Sequence, residues 1–104
     1  MENLILFYVP VPHPETAKEL TRRVLDEGLA ACGNILGPIT SLYEWKSEMV
    51  EAEEWVLILK TTEACQQALS EFIVQLHPYE CPAVVQVSAS ANAAFADWVT
   101  KQTH

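Results

Sequence analysis

Residues 31–60 read ACGNILGPITSLYEWKSEMVEAEEWVLILK, and the length of this stretch decides the fold. Ala31 to Trp45 has the composition of an extended segment, bent where Gly37-Pro38 interrupts it. Lys46-Ser47 reads as a turn. Met49 to Lys60 then returns, with Trp55, Leu57 and Leu59 on one face and Val56, Ile58 and Lys60 on the other. Twelve residues of strand reach roughly 40 Å at about 3.3 Å per residue. The longest helix expected elsewhere has about fourteen residues and covers only about 21 Å. Helices of the same chain therefore cannot shelter the whole hairpin, whose far end carries Tyr43, Trp45, Val50 and Trp55. Aromatic surface of that extent is rarely left in water by a monomer, so another copy of the chain is expected to cover it. The competing expectation is a hairpin that curls back onto its own sheet.

Outward from the hairpin, the rest of the chain falls into short elements. Leu4 to Val9 is apolar on both faces, as in a central strand covered from both sides, and Pro10 and Pro12 are expected to end it. Pro14 suits the first turn of a helix in which Ala17, Leu20 and Val24 face inward, with Gly28 as its stop. Thr61 or Thr62 is placed to cap a second helix. Its stripe is Cys65, Ala68, Leu69, Phe72, Ile73 and Leu76, and Pro78 ends it. A last strand is expected from about Ala83 to Ser88. A short final helix follows, capped by Asn92, with Phe95, Trp98 and Val99 inside. The order β-α-β-β-α-β plus a terminal helix predicts an α+β fold, a ferredoxin-like βαββαβ sandwich with a long β-hairpin, as a single domain over residues 1–104.

Composition narrows the function. Six basic against fourteen acidic residues give a net charge of -8, a field that repels phosphate backbones and anionic headgroups, so neither nucleic acid nor membrane is expected as a partner. The three cysteines, Cys32, Cys65 and Cys81, are too few and too widely spaced for a disulfide framework or a CxxC pair, which suits reduced thiols in a cytoplasmic protein. No basic lead precedes Leu4–Val9, and that run is too short for a signal peptide or a membrane span.

Chemistry is concentrated in His77-Pro78-Tyr79-Glu80-Cys81-Pro82, a Pro-bounded connection of the kind that often carries binding residues. His77, Glu80 and Cys81 are possible metal ligands, imidazole and thiolate suiting copper or zinc. The alternative is a rigid turn in which His77 closes the preceding helix. Glu44, Glu48, Glu51, Glu53 and Glu54 crowd the hairpin, where they can gather cations or, more commonly, keep strand edges soluble. Lys60 can bind an anion or pair with a hairpin glutamate, the pairing being the stronger expectation. Serines without an elbow motif, scattered histidines and only three glycines leave no nucleophile set and no phosphate loop. No enzyme is expected.

Gly28-Leu29-Ala30-Ala31-Cys32-Gly33-Asn34-Ile35, Ser41-Leu42-Tyr43-Glu44-Trp45, Leu57-Ile58-Leu59-Lys60-Thr61-Thr62, His77-Pro78-Tyr79-Glu80-Cys81-Pro82 and Phe95-Ala96-Asp97-Trp98-Val99 occur in order along nearly the whole chain. Together they resemble the CutA family, the divalent-cation tolerance proteins. The resemblance implies a homotrimer held by the long hairpins, a cytoplasmic location and an association with copper or another divalent metal. It implies metal ligation by His77 and Cys81. Val9 and Leu76 occupy positions where the family pattern has a further cysteine and histidine, so this association is expected to be weak. It also implies an inter-subunit cleft gathering Trp45, Lys60, His77, Tyr79 and Glu80, in which a small molecule could sit. Fold-level likeness to the PII signalling trimers makes a small anionic ligand in that cleft the second functional expectation. Ser47 stands near where the family often has glycine, which makes for a less comfortable turn.

Overall fold

A computed structural model describes residues 2–104. Four strands, β1 (Glu2–Val11), β2 (Cys32–Trp45), β3 (Glu48–Thr61) and β4 (Val85–Ala91), and three helices, α1 (Pro14–Asp26), α2 (Gln66–Leu76) and α3 (Ala93–Gln102), follow in the order β1-α1-β2-β3-α2-β4-α3. The sheet is antiparallel throughout, with strand order β2-β3-β1-β4. This is the expected α+β, ferredoxin-like arrangement.

One face of the sheet is closed by α1 and α2. Ile5, Phe7, Val9 and Val11 alternate inward from β1, Leu57 and Leu59 from β3, and Leu20, Val24, Leu69 and Ile73 meet them from the helices. Phe7, Leu57, Leu59, Leu69 and Ile73 are fully buried. Each such side chain contributes about 1.5–3 kcal/mol relative to exposure. The other face is covered at one end, where Ala96 and Val99 of α3 pack on Leu4 and Ala31, and at the start of the hairpin, where Val56 and Glu54 are buried and Glu54 lies beside residues 78–83. Trp98, expected inside, is exposed, because α3 is seated through its small side chains. The double-sided cover expected for β1 therefore holds at Leu4 but fails at Tyr8, which is exposed.

Several boundaries differ from expectation for identifiable reasons. Strand β1 continues through Pro10 to Val11, pairing Pro10 with Val56. The β4 ladder has already stopped at Tyr8–Val85, so Pro10 lies at a free edge, where a missing N–H is tolerated. Strand β4 runs from Val85 to Ala91, later than expected, because β1 supplies partners as far as Glu2–Ala91 for the weak strand formers Ser88 to Ala91. Thr61 does not cap a helix. It ends β3 and donates its hydroxyl to Leu29 O at 2.6 Å, joining β3 to the start of β2. Thr62 instead precedes a short 3₁₀ turn, Glu63–Cys65, that leads into α2.

The hairpin is as long as the lengths required. Each arm has 14 residues, and the molecule measures 45 × 24 × 21 Å. It does not curl back: Leu42 and Met49 remain 66% and 75% exposed near its tip. One register irregularity is decisive. Leu36 pairs with Val56 but Ile39 pairs with Glu54, so β2 carries one extra residue at Gly37-Pro38, joined by a cis peptide bond. Directly paired residues share a face. The inserted residue thus changes which β2 positions point where: Cys32, Asn34 and Leu36 before it, Ile39, Ser41, Tyr43 and Trp45 after it. Gly37 is favoured there because a Cβ would run into the Trp55 ring.

Two turns need positive φ. Gly28 (φ +67) closes α1 with the paired bonds Leu29 N–H to Val24 O and Gly28 N–H to Leu25 O, both 3.0 Å. Lys46 and Ser47 (φ 50 and 66) form the two-residue hairpin turn without a glycine. Opposite substitution effects follow. Gly28→Ala is expected to lower unfolding free energy by about 1–2 kcal/mol, with the His104 ring against that Cβ adding to the loss. Ser47→Gly is expected to raise it by up to about 1 kcal/mol. Urea titration of both variants measures the two signs.

Candidate functional site

A cleft of about 500 Å³ opens where the hairpin meets the 77–84 connection, within the range of small-molecule sites. The hairpin contributes Tyr43 and Trp45 from β2 and Glu54 from β3; the connection contributes Tyr79, Glu80 and Cys81. Tyr43 pairs with Val50 and Trp45 with Glu48, which puts both on the face that carries Glu54.

The base of the cleft is held by His77. Leu76 ends α2, and the His77 N–H closes it on Ile73 O at 2.9 Å, so the expected helix-closing role is observed for its backbone. The imidazole is 7% exposed and both of its nitrogens are in use. Tyr79 N–H donates to Nδ1 at 3.1 Å, which requires that nitrogen to be bare. Nε2 therefore carries the hydrogen and donates to Pro10 O at 2.8 Å. One ring ties the end of α2, the end of β1 and the following turn together. It also fixes Tyr79, whose ring lies 4.6 Å from it between centroids.

Tyr79 in turn donates its hydroxyl to Glu54 Oε2 at 2.6 Å. Glu54 is a buried carboxylate, 7% exposed, and such a group in mid-hairpin survives only with a partner. Burial foremost, then the hydrogen bond to Glu54 and its negative charge, with Tyr43 adding a little, hold the Tyr79 phenol well above its ordinary range. Nothing local in the sequence foretells Glu54 and Tyr79 as a buried pair, since Glu54 stands among five hairpin glutamates that look alike. At the rim, Lys46 Nζ lies 3.5 Å from Glu80 Oε2 and 5.7 Å from the Trp45 ring centroid.

Of the residues expected in a cleft between subunits, Trp45, Tyr79 and Glu80 line this cleft of one chain and His77 supports it from behind. Lys60 is elsewhere. It pairs with Leu6 and Cys32, six residues along β3 from Glu54, roughly 20 Å away. Its ammonium donates to Asn34 Oδ1 at 2.6 Å and lies over Phe95, 5.8 Å from the centroid. The expected pairing with a hairpin glutamate is thus corrected, since the glutamates sit at the other end of the strand. An anion in this cleft would find two carboxylates and no Lys60 from the same chain.

A family model described as CutA1 divalent ion tolerance protein matches residues 5–102. The chain belongs to the CutA1 divalent ion tolerance family. It is 38% identical over 104 residues to the divalent-cation tolerance protein CutA of Thermus thermophilus, covering 99% of both chains. It is 36% identical over 97 residues to protein CutA of Homo sapiens, covering 92% of this chain but 54% of that protein. The chain thus spans nearly all of its bacterial relative and about half the length of the mammalian ones. Among solved structures, CutA1 from Ehrlichia chaffeensis superposes with a TM-score of 0.93 at 36% identity, covering 100% of this chain and 98% of that one. CutA1 from Oryza sativa gives 0.92 at 34% identity, with 99% and 95% covered.

The residues present do not fit a tight CutA1 metal centre within one chain. Among the described residues no three of His, Cys, Asp and Glu come together as a ligand set. His77 offers no free nitrogen, and Cys81 is an exposed single thiol. Val9, in the position where the family pattern has a further cysteine, is fully buried in the core.

Removing the Tyr79 hydroxyl tests the buried pair. Tyr79→Phe is expected to cost about 1–3 kcal/mol, because Glu54 is left without its donor. The pH dependence has a definite sign. A phenol whose pKa is raised by folding favours the folded state below its unfolded value of about 10, and that contribution is lost as pH rises through the folded value. Wild-type stability should therefore fall more steeply above about pH 10 than that of Tyr79→Phe, as read by urea midpoints across alkaline buffers.

Proposed function

We propose that this CutA1 protein works as a cytoplasmic homotrimer contributing to divalent-cation tolerance, without catalytic turnover and with only weak association of copper or another divalent metal. The observation that carries the assembly is an uncovered apolar sheet face. Beyond α3, Leu6 and Tyr8 of β1, Ile58 of β3, Leu36 of β2, and Val85 and Val87 of β4 lie on one side of the sheet. Tyr8, Leu36, Val85 and Val87 are exposed, and no helix of the chain reaches them. Leu42 and Met49, exposed near the tip on the other side of the hairpin, add further apolar surface. A surface of this kind marks an interaction site, and identical copies with projecting hairpins supply matching faces for a closed ring.

The metal side of the reading rests on family membership and on a charge of -8, which favours cations over anions near the surface. The ligand geometry sets its strength: a lone exposed thiol and scattered carboxylates bind copper loosely. The cleft's two carboxylates disfavour the anionic small ligand of the second reading.

Light scattering at micromolar concentration is expected to give three times the 11.6 kDa chain mass; a stable single-chain mass would refute the assembly. Calorimetric titration of Cu(II) is expected to give weak binding that His77→Ala leaves essentially unchanged, while the same substitution lowers the melting temperature. Tight stoichiometric binding abolished by His77→Ala would overturn the weak-binding reading.

A further inference from the structure

The cleft between hairpin and 77–84 connection is built for positive charge. The most buried of its polar lining residues is Glu54, more than nine-tenths buried. Only Oε2 of that carboxylate is taken, by the Tyr79 hydroxyl. No buried side-chain oxygen among the described residues lacks a partner, so Oε1, which accepts no bond within the chain, is open to the space that Glu54 lines. Tyr79 is fixed by His77 and donates its hydroxyl to Oε2, which leaves Oε1 for another donor. The flanking walls are the aromatic rings of Tyr43 and Trp45, and Glu80 adds a second carboxylate at the rim. Lys46, also at the rim, already displays the chemistry: its ammonium rests against Trp45 and Glu80 together. Both partners of that ion pair are about 70% exposed, at 68% and 72%, and such a pair is readily displaced.

We propose that this cleft binds an organic cation, a guanidinium or primary ammonium, which donates to Glu54 Oε1 and stacks on Trp45. Aromatic faces attract such cations through their quadrupole, and a planar guanidinium matches a carboxylate while stacking on a ring. The same group can come from two sources, a free small amine or an Arg or Lys side chain of a second copy. The site goes beyond the divalent-cation reading and uses residues of one chain only.

Agmatine, which carries both groups, serves as the free probe. It is titrated calorimetrically into the wild type, Glu54→Gln and Trp45→Leu, with sodium chloride at equal ionic strength as the control. The amide introduced by Glu54→Gln retains an oxygen for Tyr79, and Trp45 is exposed, so both variants are expected to fold. Saturable binding weakened about tenfold or more in both variants supports a free cation. Without agmatine binding, a weakening of self-association by about tenfold in Glu54→Gln, read by sedimentation, supports a side chain from a second copy. Neither effect, or a response that sodium chloride reproduces, overturns the proposal. Light scattering of the wild type in the same buffer keeps the outcomes separate: a single-chain mass with agmatine bound sinks the trimer and leaves the cation site standing.

Discussion

A mismatch of length governs this molecule. Two 14-residue strands extend far beyond what helices of 13, 11 and 10 residues can cover, since a strand residue advances more than twice as far as a helical one. Near the helices the sheet is buried and densely packed. Past them the same strands carry Leu42, Tyr43, Trp45 and Met49 into the open. The cleft lies at the boundary between these regimes, where the connection after α2 reaches the hairpin and a carboxylate is held out of water by a phenol.

Much of this was legible from residue pattern. The alternation Trp55, Leu57, Leu59 against Val56, Ile58, Lys60 sorted the two faces of β3 correctly, and Leu57 and Leu59 are indeed core. Ala17, Leu20 and Val24 predicted the buried stripe of α1. Expectation failed where a partner overrides local preference. Pro10 stays in β1 because its neighbour strand has ended, and Ser88 to Ala91 form strand because β1 is there to pair with them. Trp98 faces water because Ala96 and Val99 seat the helix more closely than an indole would allow.

The site was legible in composition and not in connectivity. Trp45, Tyr79 and Glu80 line one cleft within a single chain, on a face set by pairing across the hairpin turn, whereas Lys60 of the same chain lies at the other end of β3; the cleft that the resemblance implies lies between subunits. His77 shows the same limit in another form. A buried imidazole among metal-binding residue types suggests a ligand, yet both of its nitrogens serve the backbone. The chemistry of a side chain is written in the sequence; whether its lone pairs are already spent is a property of the assembled fold.

The extra residue at Gly37-Pro38 has a consequence for how this hairpin can vary. The faces of Ile39 to Trp45 are set by their partners across the turn, Ile39 with Glu54 and Tyr43 with Val50, and those of Cys32 to Leu36 by their own partners at the other end of the ladder. Both groups stand on the same side of the ribbon, and the extra residue is the slack between two fixed registers. Loss of one residue at that point would leave Leu36 opposite Val56 and Ile39 opposite Glu54 in a regular ladder, with Tyr43 and Trp45 still on the side of Glu54. The place where this arm can shed a residue without turning a side chain over is thus the place where it already carries a spare one.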